Sequence, residues 1–326
     1  MAVAARVLAA AVILGSCSSE PGRTAITSSA SSSAALDSAS TTVETATTVV
    51  VDTTATTTTT TTTIASTSRL TTNLTATGLA GELTTVERAA ASGDGSVGAR
   101  QQLLYRYLAA HADLDDAVLA GVGDDVRPSI ERIVAARQLG QARQAANPNP
   151  SPPSTTLPAW TVIDPLPADE LLGDYHDAET ATGIAWYWLA AIHLQETRMG
   201  RIIGTSSAGA VGPMQFLPAT WERCCTGDPT VPRDAIIGAA TYLAQSGGPA
   251  DMQAAVHEYN PNESYVATVT AFAENLRDNP QLYTAYREWQ VFYATSAGTV
   301  RLPVGYSAAG PIDAATYLAE HPDDVG

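Results

Sequence analysis

The 326-residue chain predicts a mainly α-helical fold. Apolar residues recur at helical spacing in several segments between residues 98 and 276. After residue 160, no segment alternates apolar and polar residues over five or more positions, as a half-buried strand would. The first 80 residues are rich in Ser, Thr and Ala, and aromatic residues are scarce before Tyr105. An ordered core is therefore expected from about residue 85 to about residue 305, long enough for one good core with a helical annex.

The elements follow in chain order. Residues 1–17 read as a signal peptide: Arg6 supplies a positive charge, and Val7–Leu14 is an apolar run too short to span a bilayer. Leu14-Gly15-Ser16-Cys17 resembles a bacterial lipobox, which would make Cys17 the lipidated first residue of an exported lipoprotein. The alternative is an ordinary secretory signal with an incidental cysteine. A lipid anchor at Cys17 would hold the protein to the outer face of the cytoplasmic membrane, in the cell-wall space. Residues 18–80 include eight consecutive threonines, Thr56–Thr63, and read as a disordered tether. A flexible coil of that length reaches roughly 40 Å.

Residues 81–147 read as a helical hairpin or small bundle. Val126, Ile130, Ile133 and Val134 fall on one helical face, and Pro128 suits the first turn of that helix. An earlier helix covers about Val97–His111. The region is either a packing annex or a contact surface for a partner or the cell wall. The proline-rich segment 148–159 is an extended boundary. A second domain, 160–300, begins with a long helix that breaks near Thr182-Gly183 and ends at Gly200. Further helices are expected at Asp234–Gln245, with Asp234 near the N-cap, at Asp251–Tyr259 and at Ser264–Leu276. Residues 301–326 form a tail without an assigned role.

The net charge of −16 and pI near 4.5 leave no basic footprint, which argues against nucleic-acid binding. All 17 basic residues are arginine, so no phosphate loop of the G-K-[ST] kind exists. Cys224 and Cys225 give no metal-site spacing. They could form a vicinal disulfide, but two free buried thiols are favoured because neighbouring residues rarely meet disulfide geometry. No cofactor and no metal are expected.

The chemistry concentrates at Glu196. Ala185, Leu189, Ile192 and Glu196 lie within an arc of about 60° at 100° per residue, so the glutamate continues the apolar stripe of its own helix. A carboxyl so placed is desolvated and stays protonated near neutral pH, as a general acid must. The competing reading is a buried ion pair with Arg198 or Arg201. From Thr197 to Trp221 there is no other carboxylate. Instead there are glycines at 204, 209 and 212, hydroxyls at Ser206 and Ser207, and Met214, Gln215, Phe216 and Trp221. Amides, hydroxyls and apolar faces suit N-acetylated sugars. Most glycosidases need two carboxylates, so a lone one points to a substrate that supplies its own nucleophile.

The combination Glu196-Thr197, Ser206-Ser207-Ala208-Gly209-Ala210, Gly212-Pro213-Met214-Gln215, Pro218 and Tyr259-Asn260 resembles the lytic transglycosylases, over roughly residues 160–280. Thr197 stands where the family usually has serine, and Pro261 where it often has Ala-Gly after the Tyr-Asn pair. Glu196-Thr197 and Gln215-Phe216 lean toward the membrane-bound B-type branch. The resemblance implies a lysozyme-like fold and cleavage of the β-1,4 bond between N-acetylmuramic acid and N-acetylglucosamine in peptidoglycan. A 1,6-anhydro product would form, with Glu196 as acid and then base. It further implies that Ser206 and Gln215 contact the glycan, Met214 lines the groove, Tyr259 orients Glu196 or the intermediate, and Asn260 supports it. Two rivals remain. One is a lysozyme-type hydrolase recruiting Asp228, Asp234, Asp251 or Glu258; the other is a non-catalytic wall-binding lipoprotein. His193, three residues before Glu196, is more simply a satisfied structural histidine.

Overall fold

The computed structural model describes residues 74–326. The signal peptide, Cys17 and the tether up to residue 73 lie outside the described residues. The helices are α1 (Ala76–Ala91), α2 (Gly98–Ala110), α3 (Asp115–Gly121) and α4 (Arg127–Ala145), then α5 (Ala168–Thr182) and α6 (Trp186–Thr197). They continue with α7 (Pro218–Cys224), α8 (Pro232–Gln245), α9 (Met252–Tyr259), α10 (Glu263–Asp278), α11 (Leu282–Arg287) and α12 (Ala314–Glu320). The strands are β1 (Thr156–Leu157), β2 (Thr161–Val162), β3 (Ile202–Ile203), β4 (Val291–Thr295), β5 (Gly298–Leu302) and β6 (Ile312–Asp313). The fold is mainly α. No helix among the described residues is long and apolar enough to cross a membrane.

The tether expected through residue 80 gives way to structure earlier. Thr75 accepts a hydrogen bond from Gly78 N and caps α1, which buries Leu79, Ala80 and Leu83. A composition dominated by small polar residues hid one amphipathic helix at the end of the polar segment. Val126, Ile130, Ile133 and Val134 are all buried, and Pro128 sits in the first turn of α4.

One apolar core runs from Leu79 to Trp289. The N-terminal helices enter it through α4 against α10, and through α1 and α2 against α11. Polar side chains also cross this contact: Trp289 Nε1 donates to Gln101 Oε1 at 2.9 Å, and Gln102 pairs with both backbone groups of Gln290. The buried ion pair of Arg137 with Asp115 ties α4 to the start of α3.

The break expected near Thr182-Gly183 is present: Gly183 adopts φ +79 and separates α5 from α6. At the start of α8 the N-cap is Val231, not Asp234. Asp234 lies in the first turn and accepts from Asp228 N at 2.9 Å, still favourable at a helix N-terminus. Asp251 caps α9 and Asn262 caps α10.

A second, smaller core gathers Leu157, Trp160, Val162, Ile202, Val291, Val300, Leu302, Tyr306 and Tyr317. Here the absence of strands expected after residue 160 is corrected. β4 and β5 form a hairpin pairing Val291 with Leu302, β1 pairs with β6, and β2 pairs with β3. These strands have five residues or fewer, too short to leave a clear alternating pattern. The C-terminal tail thereby packs on the segment that precedes α5, through β6 against β1 and Gly305, Tyr306 and Ala308 against Trp160 and Val162. Cys224 and Cys225, favoured as free thiols, are joined in a disulfide at the end of α7.

Candidate active site

The site is organised around α6. The stripe expected of this helix is in fact wider: Leu189 through Thr197 are buried on every face. Helices α5, α8, α10 and α11 all touch it, so it is the central helix of the main core. It ends at Thr197, three residues before Gly200. Arg198 (φ 57), Met199 (φ 56) and Gly200 (φ 87) are all left-handed. Two non-glycine residues in that region cost roughly 1–2 kcal/mol each, and surrounding contacts must hold them there. Met199 N donates to His193 O at 3.1 Å, and Arg198 Nη1 to Leu194 O at 2.5 Å.

Thr197 fastens this turn to the glycine-rich loop. Its hydroxyl donates to Pro213 O at 2.6 Å and accepts from Gly200 N at 3.1 Å. The hydroxyl that a serine would supply is therefore present. In the loop, Ser206 Oγ accepts from Ala208 N (3.3 Å) and Ala210 N (3.0 Å). Val211 and Phe216 exchange backbone hydrogen bonds at 2.9 Å. Gly212 has φ +77, and a Cβ there would lie 1.8 Å from Pro229 O, so no other residue fits. Gln215 is also left-handed (φ 52), with its amide nitrogen donating to Gly212 O at 2.9 Å.

Glu196 is 4% exposed. Its Oε1 accepts from Tyr265 Oη at 2.5 Å, while its Oε2 is buried without a partner. Burial raises its pKa from an ordinary 4.5 to about 8, against the opposing effect of the Tyr265 hydrogen bond. The ion-pair reading fails. Arg198 turns back on its own helix, and Arg201 lies 3.4 Å from both Asp164 and Glu288. His193 is buried in α6: its Nδ1 meets Tyr175 Oη at 2.8 Å, its Nε2 has no partner, and burial pushes its pKa down to about 3.

Of the residues singled out in the sequence, Tyr259 is buried and donates to Met214 O at 2.5 Å. It thus anchors the loop, while its phenol still feels the Glu196 charge. Met214, expected to line a groove, is 0% exposed and offers the site its carbonyl rather than its side chain. Ser206 and Gln215 fold onto the loop backbone. Asn260 is buried just past the end of α9. Tyr265, the direct partner of Glu196, follows Tyr259-Asn260 in the family motif, but the sequence assigns it no role. Its signal was the first turn of a helix capped by Asn262, close after the Tyr259-Asn260 pair.

The four alternative carboxylates serve elsewhere or stand in solvent. Asp228 accepts from Thr230, Asp234 from Asp228 N and Asp251 from Ala254 N, and Glu258 is exposed. Two cavities, of about 570 and 740 Å³, open elsewhere on the molecule, and Glu196 lines neither.

The membrane-bound lytic murein transglycosylase F of Thiobacillus denitrificans is 26% identical to the chain over 149 residues, covering 43% of this chain and 32% of the relative. The chain thus spans about a third of that relative's length. The relative is named an F enzyme, whereas the Glu-Thr and Gln-Phe pairs lean to the B-type branch. No family model matches the chain, and no solved structure does. By its motifs and by this relative, the chain is similar to the lytic transglycosylases.

Proposed function

We propose that the protein is a peptidoglycan lytic transglycosylase with a lysozyme-like catalytic region. The observation that carries this reading is the buried carboxyl of Glu196, whose pKa burial raises to about 8 and whose Oε2 lacks a partner. Tyr265 occupies Oε1, which leaves Oε2 to carry the acidic proton.

Glu196 gives that proton to the glycosidic oxygen between N-acetylmuramic acid and N-acetylglucosamine, and the bond from that oxygen to C1 of the muramic acid breaks. The substrate's N-acetyl group shares the positive charge at C1. Glu196, now a carboxylate, takes the proton of the muramic-acid C6 hydroxyl as that oxygen closes on C1. The 1,6-anhydro product forms without water, and Glu196 is protonated again. A tethered nucleophile can supply roughly 7–11 kcal/mol of the barrier. Desolvation serves the first step by keeping the acid neutral, and makes the carboxylate a strong base for the second.

A lysozyme-type hydrolase would need a second carboxylate, and three of its four candidates are engaged in local turns and caps. By the lipobox reading, Cys17 would anchor the enzyme outside the cytoplasmic membrane, with glycan strands as its partner.

Mass spectrometry of muropeptides released from purified peptidoglycan by the full chain tests the reading. Anhydro-muramyl ends from the wild type, and none from Glu196→Gln, are expected. Reducing ends would make it a hydrolase. Glycan binding without products from either protein would make it a wall-binding protein.

A further inference from the structure

The disulfide between Cys224 and Cys225 lies at the end of α7, and the chemistry at Glu196 gives it no role. A bridge between neighbours encloses almost no chain. It removes little loop entropy from the unfolded state, so its effect is local rather than global. Both cysteines are only half-buried.

The bridge touches the support of the glycine-rich loop. Cys225 Sγ stands 3.5 Å from Gly238 O in α8. A Cβ on Gly238 would lie 3.4 Å from that sulfur and 2.4 Å from the Trp221 ring, so sulfur and indole share one bare patch of the helix. Trp221 meets Phe216 edge-on with centroids 5.0 Å apart, and Phe216 meets Tyr259 at 5.6 Å. Phe216 exchanges backbone hydrogen bonds with Val211, and Tyr259 donates to Met214 O. The loop 211–216 therefore rests on this aromatic row. It is also tied to the residue after Glu196, since Thr197 donates to Pro213 O.

The chain leaving Cys225 supports the same loop. Trp221 Nε1 donates to Gly227 O at 3.2 Å, Asp228 N donates to Asp234 at 2.9 Å, and Pro229 O occupies the place of a side chain at Gly212. Cys225 is the extended residue (φ −133, ψ 166) at which the chain turns out of α7 into this segment. A disulfide between neighbours closes a ring through their shared peptide and limits rotation at that junction; two thiols do not.

We propose that Cys224–Cys225 is a redox-sensitive brace: oxidised, it holds the loop 211–216 in place against Thr197, and reduction by a dithiol releases the loop and lowers activity. One thiolate of the dithiol attacks a sulfur of the bridge, and the S–S bond breaks. The second thiolate displaces the protein from the mixed disulfide, and the reductant leaves as its own disulfide. Two electrons and two protons end on the protein as two thiols. The effect on loop order stands without the transglycosylase reading; the effect on activity rests on it.

The full chain is treated with dithiothreitol under native conditions, and alkylation followed by mass measurement counts the cysteines released. Two are expected. Hydrogen exchange at the Val211 and Phe216 amides should then quicken at least ~10-fold, while exchange in α4 stays unchanged and the melting temperature stays within about 3 °C. The Cys224→Ser/Cys225→Ser protein should exchange like the reduced wild type and ignore dithiothreitol. Muropeptide release should fall at least ~10-fold on reduction and return on reoxidation. Where neither form releases muropeptides, the transglycosylase reading fails and exchange alone decides the brace. A bridge left intact by dithiothreitol, unchanged exchange at Val211 and Phe216, faster exchange throughout with a lower melting temperature, or full release by the reduced enzyme would overturn the proposal.

Discussion

Among the described residues two glutamates are buried, Glu87 and Glu196, and their hydrogen bonding differs. Glu87 in α1 is 1% exposed, and its Oε1 accepts from both Tyr105 Oη (2.6 Å) and Gln101 Nε2 (2.9 Å). Glu196 in α6 is 4% exposed, accepts from one tyrosine and leaves Oε2 without a partner. Burial raises the pKa of both. A raised pKa is thus no mark of a site by itself. An oxygen left unsatisfied, next to a strained helix end and a loop rich in glycine, is a stronger one.

The largest effect that can break this comparison is on activity. Glu196→Gln should lower the rate of muropeptide release by about 10³-fold or more, within the range of general-acid catalysis. Glu87→Gln keeps an acceptor for both of its partners and should leave the rate within about twofold of wild type, since it touches no reacting atom. A large loss at Glu87 would show that the two glutamates are not distinct in kind.

Stability should move the opposite way. Glu196 is a carboxyl whose folded pKa, about 8, exceeds its ordinary 4.5. Below pH 4.5 both folded and unfolded chains are protonated there, so no penalty arises. Between 4.5 and 8 only the unfolded chain ionises, and stability falls as pH rises, by up to ~1.4 kcal/mol per unit. Glu196→Gln should therefore be more stable than wild type at pH 9 by roughly 2–4 kcal/mol, with the gap closing toward pH 4.5. Glu87→Leu strands a tyrosine hydroxyl and an amide and should cost roughly 2–3 kcal/mol at pH 5. Urea unfolding at several pH values reads both.

The pH profile of kcat/KM sharpens the role of Glu196. A lone acid that must start protonated predicts one descending limb near pH 8, falling tenfold per unit, with no ascending limb from a second carboxylate. A bell with a limb near pH 4–5 would point to a partner carboxylate. Tyr265→Phe removes the hydrogen bond that opposes the burial shift. The limb should move to higher pH, and activity should fall by about tenfold through lost orientation of the carboxyl.

The smallest effect is at Thr197. Thr197→Val loses the tie to Pro213 O and should cost about 1 kcal/mol of stability and a few-fold in activity. Thr197→Ser keeps the hydroxyl and should retain most of both.

Much of this is legible in the amino-acid sequence, because it is local. Gly183 breaks the helix pair, Pro128 opens α4 and Asp251 caps α9 through contacts within a few residues. Glu196 stood out because no carboxylate follows it for 25 residues. Tyr265 is 69 residues away from its acid, and nothing local links them. The short strands were equally hidden: β1 finds its partner β6 more than 150 residues later, and two-residue strands carry no periodicity.

The amino-acid sequence by itself determined several of the helices (α2, α4 and α8 to α10), the break between α5 and α6, and which acid stands out as a candidate for the chemistry. Spacing, caps and the steric needs of glycine and proline act over one or two turns. Only the tertiary structure decided that α6 is buried on every face around Glu196, that Tyr265 rather than Tyr259 holds it, and that Met214 is buried. Desolvation and hydrogen-bond satisfaction depend on which distant side chains arrive, and that follows from the packing of the whole core.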